Sequence, residues 1–129
     1  MILLDTHVLF WAVADSKRLS RPAAAAIRRA RREDGLTIAA ITLWELATLF
    51  AKGRIHTYGT VEASLRQLIE GVTIKPLTAE IAALATQFPD DYPRDPADRL
   101  IGATARAEGL VLVTRDESLR RCALLKTLW

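Results

Sequence analysis

The sequence predicts an α/β fold, a central parallel sheet flanked by helices, and three observations carry that prediction. Ile2-Leu3-Leu4 and Leu110-Val111-Leu112-Val113 are short apolar runs without polar alternation, the pattern of strands covered on both faces. Between such runs lie stretches of helical length and spacing, so strands and helices alternate along the chain. The first run stops at Asp5 and the last at Thr114-Arg115-Asp116, and in open parallel sheets ligands gather beyond the carboxyl ends of the strands.

Each element follows from its own residues. Asp5 or Thr6 can cap a short helix from Thr6 to Val13. Ser20, ahead of Arg21-Pro22, opens a second helix that runs through four alanines to Arg32 and stops near Asp34-Gly35. Its arginines, Arg28, Arg29, Arg31 and Arg32, read as a solvated face, with phosphate or acidic-partner contact as the alternative. A second strand covers Leu36 to Ala40. The helix from Ile41 to Lys52 is apolar nearly all round, with Thr42, Glu45, Thr48 and Lys52 confined to one stripe. That pattern predicts a buried helix whose Glu45 faces the interior, a cleft or a partner. A buried carboxylate needs a cation or hydrogen-bond donors, and an ion pair to Lys52 or an arginine is the structural alternative to a functional role.

Gly53 to Gly59 forms a loop that leaves His56 at the surface. Thr60 caps a helix from Val61 to Gly71 with Glu62, Arg66 and Glu70 on one side. Val72 to Lys75 is a short strand ended by Pro76, and the next helix spans Ile81 to Phe88. Pro89 to Arg94 is an irregular loop with Asp90 and Asp91 in solvent. Asp95 then caps a helix with Pro96 at its first position and Asp98 at its third, where a carboxylate suits the helix dipole. One turn on, Gly102 leaves room for close approach of another backbone. A short helix near Glu117 to Arg121 and an edge strand within Leu124 to Leu128 close the chain.

Composition narrows the function. The 129 residues make one domain, residues 1–129, with ordinary globular balance at 50% hydrophobic and 26% charged. One cysteine, Cys122, and two histidines, His7 and His56, exclude a disulfide and a Cys- or His-based zinc site. No basic segment leads into an apolar one at the N-terminus and no 18-residue apolar run occurs, so a soluble cytoplasmic protein without membrane contact is expected. Net charge is +3. Setting four acids aside in one pocket leaves the remaining surface near +7, from 18 basic and 15 acidic residues, which suits a polyanion.

Asp5, Glu45, Asp98 and Asp116 are the four acids that this topology can bring together. Two carboxylates 4 Å apart repel by about 4 kcal/mol at an effective dielectric near 20. Without a cation at least one takes up a proton; with hard divalent cations the repulsion becomes affinity. Oxygen ligands favour Mg²⁺ or Mn²⁺, which can activate a water and stabilise charge on a scissile phosphate. Thr6 and Thr114, each beside an acid, are placed to hydrogen-bond the waters of such a metal or a phosphate oxygen.

Four segments in order and spacing, Ile2-Leu3-Leu4-Asp5-Thr6-His7 with Leu9-Phe10-Trp11, Ile41-Thr42-Leu43-Trp44-Glu45-Leu46, Arg94-Asp95-Pro96-Ala97-Asp98-Arg99-Leu100-Ile101 and Val113-Thr114-Arg115-Asp116, resemble the PIN-domain ribonucleases. The resemblance is to the VapC-type toxins of type II toxin–antitoxin pairs and covers essentially the whole chain. It implies a PIN fold and Mg²⁺- or Mn²⁺-dependent cleavage of RNA, whether tRNA, rRNA or mRNA. It places the acidic metal site on Asp5, Glu45, Asp98 and Asp116, with Asp95 a fifth acid better explained as a cap. A homodimer and inhibition by a cognate antitoxin whose tail fills the site are implied as well; Trp44 or Phe50 should then be partly exposed in a monomer. His7 matches the family's pattern, with a packed or capping role.

Rival readings fare less well. A haloacid-dehalogenase-like phosphatase needs a second aspartate where His7 stands, and a receiver domain needs a phosphoacceptor after the strand at Val72 to Lys75. Neither a Walker loop nor a Gly-x-Gly-x-x-Gly stretch is present. A PIN-like scaffold that binds RNA or protein without cutting is the alternative from another class.

Overall fold

Five parallel strands lie side by side in the order β3-β2-β1-β4-β5 in the computed structural model, which describes all residues from Met1 to Trp129. They are β1 (Ile2–Leu4), β2 (Leu36–Ala39), β3 (Val72–Lys75), β4 (Val111–Val113) and β5 (Thr127–Leu128). The helices are α1 (Thr6–Ala14), α2 (Arg21–Arg32), α3 (Ala40–Ala51), α4 (Val61–Leu68), α5 (Ala79–Ala85), α6 (Pro96–Glu108) and α7 (Glu117–Arg120), with a 3-10 turn at Ser16–Arg18.

Alternation along the central strands divides the apolar residues between two cores. Leu4, Ile38 and Val113 pack with Val8, Leu9, Ile27, Leu46 and Phe50. Leu3, Ala39 and Leu112 pack on the opposite face with Ile81, Ile101 and Leu119. β1 and β4 are covered on both faces, which is why they read as unbroken apolar runs, whereas central β2 buries Thr37 among its apolar residues. Leu4 of β1 pairs in register with Val113 of β4, so the residues that follow, Asp5 and Thr114, emerge side by side at the carboxyl edge. No helix is long and apolar enough to cross a membrane.

The expected elements are present, with shifts that have local causes. The helix expected to reach Gly71 ends at Leu68, and Gly71 turns the chain into β3 with φ +75°. The last strand shrinks to Thr127–Leu128 at the sheet edge. The burial expected of α3 is the larger correction. Only Thr42, Leu46 and Phe50 are buried, four residues apart on one face, whereas Trp44 is 65% exposed. Phe50, at 6%, is already covered within the monomer. Gly102 also differs from expectation, because side chains and not backbone crowd it. A Cβ there would stand 2.3 Å from the Tyr92 hydroxyl and 2.9 Å from the Phe88 ring.

Candidate active site

The carboxyl edge of β1 passes into α1 through Asp5 alone, and this aspartate serves both the helix and the cleft. Its Oδ1 accepts the Thr6 backbone N–H at 2.8 Å, capping α1, and its Oδ2 accepts the Thr114 hydroxyl at 2.7 Å. Thr114 Oγ1 in turn accepts the Asp116 backbone N–H at 3.1 Å, tying the two aspartate-bearing strand ends together. Burial holds the Asp5 carboxyl above its ordinary range, although the Thr114 and Thr6 bonds and His7 pull the other way.

Glu45 projects from α3 toward the same cleft. Its partner is the Thr6 hydroxyl, which donates to Oε1 at 2.5 Å, and none of the five ion pairs in the structure includes it, so the pairing with Lys52 or an arginine does not occur. Thr42 lies 3.1 Å from Thr6 Oγ1. A hydroxyl has a single proton, so when Thr6 gives its own to Glu45 the bond from Thr42 must run toward Thr6. Both threonines are buried, as is Thr114. Their hydroxyls therefore orient carboxylates from behind, where the sequence suggested contact with waters or phosphate. Burial raises the proton affinity of Glu45, an effect the Thr6 bond opposes.

Asp98 enters from the first turn of α6. Asp95 caps that helix by accepting the N–H groups of Ala97 and Asp98, at 2.8 and 3.4 Å, and the Tyr92 hydroxyl donates to the Asp98 carbonyl at 2.6 Å. Burial first, then the charges of Asp5, Asp95, Asp116 and Glu45, push the Asp98 carboxyl up to about 7. Asp116 caps α7 by accepting the Ser118 N–H at 2.8 Å and is itself exposed.

All five acids line one cleft of about 380 Å³, together with Thr6, His7, Val8, Trp11 and Arg115. The donor set, carboxylates and hydroxyls without cysteine, fits a hard divalent cation and no soft one. As the side chains stand, no group of three or more His, Cys, Asp or Glu residues is gathered tightly enough to hold an ion. Both Asp5 oxygens already have donors, the Thr6 N–H and the Thr114 hydroxyl.

Several lining residues escaped the sequence reading of the site. His7, expected to be packed or capping, is exposed and lies against the Trp11 ring at 5.9 Å. The signal was there: His7 and Trp11 are four apart on one helix face, and Thr42 precedes Glu45 by three. Arg115 gave no such signal, since a residue between Thr114 and Asp116 can point anywhere.

Comparison with known proteins agrees with this architecture. Residues 2–125 match the PIN domain family. Over 119 residues, 92% of this chain and 89% of the relative, the sequence is 45% identical to Ribonuclease VapC22 of Mycobacterium tuberculosis. Among solved structures, the VapBC2 complex of Rickettsia felis bound to a promoter DNA fragment superposes with a TM-score of 0.75 at 18% identity, covering 99% of this chain and 98% of that one. FitAcB of Neisseria gonorrhoeae gives 0.70 at 24% identity, covering 100% and 97%. The match takes in every segment that contributes an acid to the cleft, and the chain belongs to the PIN-domain family, among the VapC proteins.

Proposed function

We propose that this protein is the toxin of a toxin–antitoxin pair and acts as a divalent-metal-dependent endoribonuclease that hydrolyses RNA phosphodiester bonds. The observation that carries the reading is the convergence of five acids on one cleft, none of them held in an ion pair, where burial and neighbouring charges push the Asp98 carboxyl up to about 7. Such a cluster is costly to a fold unless a cation repays it, and sites of this kind are functional candidates. The 45% identity to a protein named as a ribonuclease supports the activity, and the toxin–antitoxin complexes among the structural relatives support an antitoxin partner.

Asp5, Glu45, Asp98 and Asp116 are the residues that would hold Mg²⁺ or Mn²⁺. An ion held there would supply an activated water and charge neutralisation at the scissile phosphate. Thr114 holds Asp5 and Thr6 holds Glu45 by donating to each, and Asp95 fixes the helix turn from which Asp98 projects. The work of catalysis is done where such ions meet RNA in the cytoplasm, with no lipid phase involved.

Purified protein incubated with total RNA should yield discrete fragments with Mg²⁺ or Mn²⁺ and none with chelator. Loss of a residue that only supports a metal ligand costs about 10–100-fold, so Asp98→Asn should lose at least that much cleavage and weaken Mn²⁺ binding. A non-cutting scaffold draws on the wide spacing of the acids. Intact RNA from a wild type whose acids also fail to bind Mn²⁺, with Asp98→Asn no different from it, would favour that reading.

A further inference from the structure

A strip of surface leading away from the acid cleft has a composition that metal binding does not require. Trp11 walls the cleft and meets the Trp129 ring at 6.0 Å. The guanidiniums of Arg18 and Arg115 both lie over the Trp11 ring, 5.8 and 6.0 Å from its centroid. Trp129 then borders a second hollow, of about 500 Å³, lined by Arg120 and Arg121 with Glu117 as its one acidic side chain. Arg115, Arg120 and Arg121 are exposed and enter no ion pair; Arg18 pairs with Asp15 at 3.2 Å. Three exposed arginines free of ion pairs, interleaved with indoles, make a surface that complements a phosphate backbone with unstacked bases.

We propose that a single-stranded segment of RNA runs from the acid cleft past Arg115 into the hollow of Arg120, Arg121 and Trp129. The assignment rests on the ribonuclease reading and adds the direction in which the strand leaves the site. Trp11, 9% exposed, is a platform that steers the Arg115 side chain, whereas Trp129 is partly exposed and offers a ring to a base. Stacking of that kind requires a base out of its duplex, which selects single strands over helical RNA.

Binding of a fluorescent single-stranded RNA, measured over a range of salt in the uncut Asp98→Asn background, tests the track. Each lost phosphate contact on a single strand lowers the salt slope by about 0.7. The double change Arg120→Gln with Arg121→Gln should therefore reduce the slope by about 1.4 and weaken binding about tenfold or more. Trp129→Leu should weaken it about fivefold or more with the slope unchanged. Arg31→Gln with Arg32→Gln, on the exposed face of α2, is the control and should leave both quantities near those of the parent. If wild type cleaves RNA but the track variants bind like the parent, or no worse than the control, the track is overturned and the nuclease reading stands. If wild type neither binds nor cleaves RNA, both fall. A polyglutamate peptide whose binding needs Arg120 and Arg121 when that of RNA does not would give the hollow to an acidic protein segment and overturn the proposal.

Discussion

Asp98 makes the cleft sensitive to pH in a direction that burial and repulsion dictate. Its carboxyl is raised from 3.8 to about 7 on folding, so the folded chain holds this proton more tightly than the unfolded one. The resulting stability is fully present below about pH 4 and is lost as pH rises through 7. Asp5 and Glu45, also raised, act in the same sense. Metal-free protein should accordingly melt at lower temperature at pH 8 than at pH 5, and Asp98→Asn should flatten that difference in a thermal scan. Mn²⁺ affinity by calorimetry should move the opposite way, falling as pH drops below 7 and protons compete for the site. Thr114 is the second residue with a measurable consequence. Its hydroxyl donates to Asp5 and accepts from the Asp116 N–H, both lost in the near-isosteric Thr114→Val. That substitution should cut Mn²⁺ affinity by about 10–100-fold, whereas Thr114→Ser, which keeps both bonds, should restore it.

At the scale of elements, α6 shows how a helix is fixed by what passes beneath it. Phe88 and Tyr92 stack at 3.9 Å under Gly102, with Arg99 and Arg106 over their rings. Gly102→Ala would gain about 1 kcal/mol of helix propensity. It would force the buried Tyr92 hydroxyl from the Asp98 carbonyl, and overpacking costs about 1–3 kcal/mol. Net destabilisation of about 1 kcal/mol is expected by chemical denaturation, with reduced cleavage because Asp98 sits in the displaced turn. The glycine was visible in the sequence as a point of close approach, but not what approached it: Phe88 was expected to end a helix that in fact stops at Ala85, and Tyr92 belongs to a loop without periodicity. Caps and strand ends were legible for the opposite reason. Asp5, Ser20, Thr60 and Asp95 each cap through their own side chain, a local bond that the sequence spells out. The surroundings of α3 were illegible because an apolar stripe looks the same whether a neighbouring helix or another molecule covers it. Similarly, Glu45 could be placed facing a cleft, while the threonine that holds it lies 39 residues away.

For the whole molecule, the uncovered side of α3 has a consequence for assembly. Trp44 and Leu77, 65% and 57% exposed, share a hollow of about 220 Å³ with Ile41 and Leu100. A second copy is expected to cover it, and light scattering at micromolar concentration should report a dimer. Truncating a central tryptophan commonly costs about 2 kcal/mol or more, roughly thirtyfold in Kd, so Trp44→Ala should shift the balance toward monomer. A stable wild-type monomer contradicts the expectation. Strand order carries a different consequence, for the time at which the protein becomes active. β1 sits in the middle of the sheet, yet its neighbour β4 and the hydroxyl that holds Asp5 come 109 residues later. A ribosome making this chain releases Asp5 and Glu45 well before the segment that completes their cleft. The acid cleft is thus completed only once β4 has been made and has docked against β1, because the hydroxyl that holds Asp5 comes from the end of that strand.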